Sequence, residues 1–389
     1  MSSEVKSKIL IYGDSNLNII DGSSVWIVNL SKLIAQDGQT QVDILLKLPI
    51  KNDVLSRELE KYSNLNLISP KKYLKGAKMI NDDNVSDIIG EIDKNSNYSA
   101  VIVRGKSVVS RLVKTKLKSK MIPYLTDFCQ NKTEITQKEK DELSLIYNSV
   151  ENMFIQTEEM VEYFKDILNI DGAKFTILSP IVFPLPSVEK EPKTLCYAGK
   201  LAKGWYIEEL IEIMAKLYEK DREIKLYFIG NKFNYDLLDY KNEVTAKLEA
   251  APNIEYIPQL PNEETRKVIN KCELGYGFRS RDIDNDDSLE LSTKFLEYGF
   301  FDMPTVLRKT RMYVKILGDD YPLYVESVDE ATEKIYSYFA NPDEKITNIS
   351  EKFEAFNNQT IYDNIKKVLD SYASEKSGFG FKRLKRIFR

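Results

Sequence analysis

Histidine does not occur anywhere in the 389 residues. That gap removes the Ser-His-Asp triad, the Cys-His dyad, most catalytic zinc sites and any imidazole base. Whatever chemistry the chain performs runs on carboxylates, lysines, arginines, hydroxyls and backbone dipoles. Cysteine is nearly as scarce: Cys129, Cys196 and Cys272 lie far apart without CxxC spacing, which argues against a disulfide scaffold and fits a reducing compartment. No apolar run is long enough to span a bilayer, and the opening MSSEVKSKILIYGDS has no apolar leader core. The expectation is a cytoplasmic protein. A formal net charge of −4 supplies no global field for nucleic acid, and no such partner is expected.

What is present is ordinary globular material, 42% hydrophobic and 30% charged, in a chain long enough for two cores. Short β-rich runs alternate with helical patterns. KILIYG (8–13), VDILLKL (42–48), LNLIS (65–69), AVIVRG (100–105), MIPYLTDF (121–128) and MFIQT (153–157) read as strands. After the first of them, Trp26, Ile27, Leu30, Leu33 and Ile34 recur at helical spacing and Gly38 supplies the stop. ILSPIVFPLPSVEKEPK (177–193) breaks the pattern with prolines and reads as a hinge.

A second series follows: strands at 194–199, 225–230, 253–258, 273–278 and 303–307, with helices at 205–219, 262–271 and 292–300. A last helix over roughly 350–373, carrying Phe353, Phe356, Ile365, Val368, Leu369 and Tyr372, is long enough to pack across both domains. The expected fold class is α/β, two Rossmann-like doubly wound domains facing across a cleft. The expected domains are 1–185 and 186–349, then the crossing helix at 350–374 and a basic-aromatic tail at 375–389.

Three stretches have the composition of ligand loops. Asp21-Gly22-Ser23-Ser24 sits between the first strand and its helix, where free N–H groups meet anions in open α/β sheets. Simple helix capping by Asp21 or Ser23 explains it equally well. YAGKLAKGW (197–205) puts Lys200 and Lys203 in the turn that ends the second domain's first strand, where a diphosphate can be gripped, although a solvated basic turn has the same sequence. The third is FRSRDIDNDDSLELSTKFLEYGFFDMPTVL (278–307). Ser292 and Thr293 read as a helix N-cap, placing N–H groups and Lys294 toward phosphate oxygens. Glu297, one turn on, offers a carboxylate for a ribose diol, or a surface pair with Lys294. Arg279 and Arg281 add positive charge near a strand end. Asp282, Asp284, Asp286 and Asp287 read as a solvated acidic loop; no metal site is expected, and their spacing lacks the central Gly and terminal Glu of a calcium loop.

Together, the glycine loop, YAGKLAKG and above all LSTKFLEYGFFDMPTVL resemble the large family of retaining GT-B glycosyltransferases that use nucleotide sugars, glycosyl transferases group 1. The last stretch resembles that family's Pro-x-Lys-x-x-Glu-Tyr…Gly-x-Pro-Val signature, and LGDDYPLYVES after it is similar too. The resemblance implies that Lys203, with Lys200, holds the donor diphosphate and that Glu297 binds the ribose. It implies that Gly22 and Ser23 approach the phosphates and the sugar, and that Thr293 and Lys294 supply backbone N–H groups. Two departures stand out: the family's first glutamate is replaced by Leu289, with Asp287 and Glu290 out of register, and its His-Asp by Thr126-Asp127, leaving Asp127 for the sugar or acceptor.

The implied activity is metal-independent, retaining hexosyl transfer from a nucleotide diphosphate sugar, expected to be a UDP-sugar. The implied acceptor is a glycan, lipid-linked or protein-linked, in bacterial surface polysaccharide or glycoconjugate synthesis, and no cofactor beyond the donor substrate is expected. A catalytically silent subunit that partners an active transferase, and a sugar-nucleotide epimerase on the same fold, are the competing readings. The tail GFGFKRLKRIFR interleaves Lys382, Arg383, Lys385, Arg386 and Arg389 with Phe379, Phe381, Leu384, Ile387 and Phe388, a composition suited either to an anionic membrane surface on the cytoplasmic face or to a frayed solvated end.

Overall fold

The computed structural model of the chain describes residues 7–233, 238–341 and 345–387, with side chains up to 374. The chain packs as two compact units, the first made of Met1–Ile181 with Asn357–Arg389 and the second of Val182–Phe356.

Unit 1 runs β1 (Ser7–Tyr12), α1 (Gly22–Ala35), β2 (Thr40–Leu45), α2 (Ser56–Leu59), β3 (Leu65–Ile68), α3 (Val85–Ser96), β4 (Ala100–Arg104), α4 (Lys106–Leu112), β5 (Met121–Tyr124), α5 (Gln137–Ser149), β6 (Met153–Ile155), α6 (Glu158–Leu168) and β7 (Phe175–Ile177). All pairs are parallel in the order β3-β2-β1-β4-β5-β6-β7, with Ile9 opposite Val42 on one side and Ala100 on the other. A central parallel strand is covered on both faces, which is why Ile9, Leu10, Ile11 and Tyr12 are all buried rather than alternating. The strand order reverses between β1 and β4, so the loops at their carboxyl ends form the switch point of this sheet. Gly13 ends β1 there, and a Cβ on it would overlap the Ile27 side chain of α1.

Unit 2 runs β8 (Glu191–Ala198), α7 (Ile207–Lys220), β9 (Lys225–Ile229), α8 (Leu238–Ala250), β10 (Ile254–Ile257), α9 (Asn262–Lys271), β11 (Cys272–Tyr276), α10 (Thr293–Phe300), β12 (Thr305–Val306), α11 (Arg311–Leu317) and α12 (Val328–Ala340). Its sheet is parallel throughout in the order β10-β9-β8-β11-β12, and its switch point lies between β8 and β11.

Two expectations change. The proline-rich segment read as a hinge has no regular structure from 178 to 190, but it is tied down. Asn29 Nδ2 donates to Ile181 O at 2.8 Å within unit 1. Within unit 2, Arg266 donates to Phe183 O, Asn270 Nδ2 to Pro186 O, and Lys190 Nζ to Asn270 O and Phe301 O. The strand read as starting at 194 starts at Glu191, because a proline is tolerated near the first residue of a strand.

The helix read over 350–373 is two elements. A 3-10 segment, Ile349–Phe356, buries Phe353 against Phe295 and Gly299 in unit 2. The chain then restarts at Asn357, whose Oδ1 accepts from Thr360 N at 2.8 Å, and α13 (Asn358–Ile387) packs on unit 1. Its buried stripe is Ile361, Ile365, Val368, Leu369 and Tyr372, worth at most about 1.5–3 kcal/mol for each large apolar side chain. The side chains of the basic-aromatic tail lie outside the described residues.

Candidate functional site

The carboxyl ends of β8 and β11 carry the residues that sequence singled out in unit 2. β8 stops at Gly199, whose N–H donates to Ile229 O, and the loop turns through Lys200, buried Leu201 and a 3-10 turn at Lys203–Trp205 into α7. Across from it, Tyr276 ends β11, and Gly277, Phe278 and Arg279 follow. Gly204 joins the two loops: its carbonyl accepts from Ser280 N at 3.0 Å, and a Cβ on it would press on Ile283. Ser292 caps α10, its hydroxyl accepting from Phe295 N. Between these loops and α10 lies a recess bordered by Tyr197, Trp205, Arg279, Ser292, Lys294 and Tyr298.

Lys294 is the central group. Its Nζ lies 4.5 Å from the centre of the Tyr197 ring, and a Cβ on Gly199 would overlap it. Glycine at 199 is therefore what lets a lysine from α10 bring its amine to the end of β8. Burial, reinforced by the Arg279 guanidinium, pulls the Lys294 amine down to about 7. Lys200 stacks its Nζ 3.8 Å from the Trp205 ring centre, and burial followed by Lys232 and Arg279 lowers its pKa too. Lys203 stands exposed at the rim, its Nζ 5.6 Å from the Tyr240 ring.

Arg279 is not a free cation. Asp284 takes it in a two-pronged pair, Nε to Oδ2 at 2.9 Å and Nη2 to Oδ1 at 2.6 Å, and Tyr313 OH adds a third contact. Asp284 is thus buried, against the expectation of a solvated acidic loop, because its neighbour Arg279 follows it inward; Asp282, Asp286 and Asp287 are exposed. Arg311 holds Asp286 through its backbone N, and Arg281 pairs with Glu326. Glu297 does not pair with Lys294 either. Its Oε1 meets Arg266 Nε at 2.6 Å, and burial nonetheless holds its carboxyl above the ordinary range. Thr293 is the first residue of α10. Arg279, Ser292 and Lys294 therefore border one recess, with Thr293 beside them on α10, Lys200 and exposed Lys203 on the adjoining loop, and Glu297 turned to Arg266.

In unit 1 the capping alternative is what the structure contains. The Asp21 carboxylate accepts from Ser23 N and Ser24 N, and Ser24 Oγ in turn accepts from Asp21 N. The N–H group of Ser23 thus already has an anion, while around Gly22 the space is open. Asp127, exposed beyond β5, accepts from Lys106 N at 2.7 Å and caps α4, whose own N-cap Gly105 has no side chain to do so. Arg266, on a helix that sequence shows only as charged, was missed because nothing local marks its reach to Glu297. Trp205, one of two tryptophans and placed directly after the two lysines of the loop, was the better signal.

Anion-ready loops at the switch point of a doubly wound sheet, in a chain of two such units, define the GT-B class of fold. The structure is similar to that of the pneumococcal O-GlcNAc transferase GtfA in complex with UDP and GlcNAc, at TM-score 0.71 and 9% identity over 94% of this chain and 99% of that one. It is similar to an S. aureus TarM mutant in complex with Fondaparinux, alpha-GlcNAc-glycerol and UDP, at TM-score 0.68 and 12% identity over 93% and 99%. It is also similar to Anabaena HepE in complex with UDP and glucose, at TM-score 0.67 and 11% identity over 94% and 100%. At such identities the likeness is one of fold. No protein-family model and no curated protein sequence matches the chain. Among the described residues no helix is long and apolar enough to cross a membrane.

Proposed function

We propose that the chain is a glycosyltransferase that moves a sugar from a nucleoside diphosphate donor, a UDP-sugar, to a glycan, lipid-linked or protein-linked acceptor with retention of configuration. The observation that carries this reading is the recess of unit 2, where Lys294, from the first turn of α10, brings its amine to the end of β8, with Arg279 after β11 beside it and Lys200 on the neighbouring loop. UDP in the structures of GtfA, TarM and HepE supports the choice of donor.

In this reading the diphosphate meets the Lys294 amine, which Gly199 is small enough to admit at the end of β8. Departure of the diphosphate concentrates negative charge on its leaving oxygen. Lys294, Lys200 and the N–H groups at Thr293 and Lys294 meet that charge as it grows, and Lys203 closes on it from the rim. Asp284 fixes Arg279 so that the guanidinium contributes field rather than a mobile contact. Glu297, held by Arg266, faces the ribose hydroxyls. The acceptor proton goes to the departing diphosphate on the same face, the retention that the family resemblance implies and with which the absence of histidine is compatible. Asp127 and the Gly22–Ser23 turn serve the acceptor side, and the tail holds the chain near an anionic membrane.

Thermal-shift and calorimetric titration with UDP, GDP, ADP and their sugars tests this directly. Stabilisation by one nucleotide series, lost in Lys294→Met, followed by donor hydrolysis or transfer, is the expected outcome. Binding without any turnover across a panel of acceptors favours the silent-subunit reading, and conversion of donor without acceptor favours an epimerase. No binding of any nucleotide overturns the proposal.

A further inference from the structure

Two cations, Arg279 and Lys294, border the recess of unit 2, Lys200 lies close by, and the neighbouring carboxylates answer only part of that charge. Asp284 is committed to Arg279, and Glu297 to Arg266. Lys200 rests on Trp205. Lys294 is what is left: the residue is half-buried, its amine lies against the Tyr197 ring and over Gly199, and among the described residues no group accepts a hydrogen bond from it or pairs with it.

The groups facing that amine come from every element around it. Cys196 and Tyr197 belong to β8, Lys200 to the loop after β8, Arg279 and Asp284 to the loop after β11, and Glu297 to α10 itself. Burial pushes the Cys196 thiol and the Tyr197 phenol up, so both are neutral near pH 7. Lys200 and Arg279 repel a charged Lys294, and the two carboxylates already have partners. A cation so placed lacks its counterion.

We propose that Lys294 is a proton-coupled anion receptor: a diphosphate group that meets its amine, seated over Gly199, brings a proton onto it. The step is a plain protonation, in which the amine lone pair takes H⁺ from solvent and no electrons change owner. In the free protein, burial and Arg279 leave the amine about half charged near pH 7. A dianion beside it reverses the balance and holds the ammonium form. Affinity for the diphosphate then falls with rising pH, by up to about tenfold per pH unit above neutrality. The inference rests on the donor reading of the recess, and it deepens that reading by making donor affinity follow pH.

The test uses the full chain and a nucleotide sugar, UDP-glucose or UDP-GlcNAc, whose phosphates are diesters and keep their charge across the neutral range. Calorimetry in two buffers of different ionisation enthalpy counts protons taken up on binding. The expected result is net uptake near neutral pH, rising toward one proton at mildly alkaline pH, with Lys294→Met losing both the uptake and the pH dependence of affinity. Binding with no uptake overturns the proposal alone, while absence of binding by every nucleotide sugar overturns it together with the donor reading. Because Lys294→Met can disturb the packing, a second measurement stands apart from it. The free protein, ¹³C-labelled at lysine Cε, should show one lysine resonance titrating near pH 7; every lysine titrating near its ordinary value refutes the inference.

Discussion

Replacing Glu297 with alanine should unfold unit 2 more easily before it affects any ligand. The carboxylate is the ion-pair partner of Arg266, and both side chains are only about one-seventh exposed, 13% for Arg266 and 14% for Glu297. Breaking a buried pair from one side costs about 3–5 kcal/mol, and the remaining exposure reduces that to about 2–4 kcal/mol here. Arg266 keeps its bond to Phe183 O, which holds the orphaned guanidinium in place rather than letting it swing to water. For a domain of this size each kcal/mol moves the melting temperature by about 2–4 °C. The two tryptophans separate the units: Trp26 lies in unit 1, stacked 4.7 Å from Tyr124, and Trp205 in unit 2. In a Trp26→Phe background, urea unfolding followed by indole fluorescence reports unit 2 alone. Glu297→Ala should lower the midpoint by the stated amount, and the pair Glu297→Leu with Arg266→Met should recover most of it, since hydrophobic replacement of a whole buried pair is often neutral. A single variant within about 0.5 kcal/mol of the parent, or no coupling between the two positions, refutes the structural role. It follows that loss of nucleotide binding in Glu297→Ala identifies a ribose contact only when the variant is shown to be folded.

Gly199→Ala puts a methyl group where the Lys294 amine sits and against the hydroxyl of the buried Tyr197, so nucleotide affinity measured by calorimetry should drop at least about tenfold and the melting temperature should fall as well, because the lysine end can retreat but the ring cannot. Stability of the free protein should rise with pH from about 7 to 8.5, because the unfolded chain still holds a proton on Lys294 while the folded chain releases it near 7; above that range the buried Cys196 thiol, which the folded chain keeps protonated, opposes the rise. Lys294→Met should flatten that rise in denaturant midpoints taken across the range. Asp21→Ala removes the capping box of α1 and should cost about 1 kcal/mol in unit 1, read from Trp26 fluorescence in a Trp205→Phe background, with nucleotide affinity unchanged.

The parallel sheets were legible because buried strands write themselves as unbroken apolar runs: KILIY became β1 and AVIVR became β4 almost residue for residue. β7 was not, since Phe175–Ile177 is a three-residue edge strand with no run to detect. The helix pattern over 350–373 misled because Phe353 and Ile365 are both apolar, and periodicity does not say which core each one enters. At the candidate site, the lysines, Ser292 and Glu297 were singled out from loop position, helix spacing and cap chemistry. The partners that set their properties were not, because Arg266 and Asp284 meet them only through tertiary packing. Asp284 shows the reason: four aspartates in six residues look alike in sequence, and only the one opposite Arg279 is drawn in.

The return of α13 to unit 1 sets an order of events during synthesis. β1 to β7 leave the ribosome first, but α13, which covers part of α1, β4 and β7, is made after the whole of unit 2. The earlier unit must wait with an apolar face open, whereas the later one, being continuous from Val182 to Phe356, has all its residues in hand sooner. A stalled or shortened chain therefore leaves the first-made half unfinished and the second-made half complete.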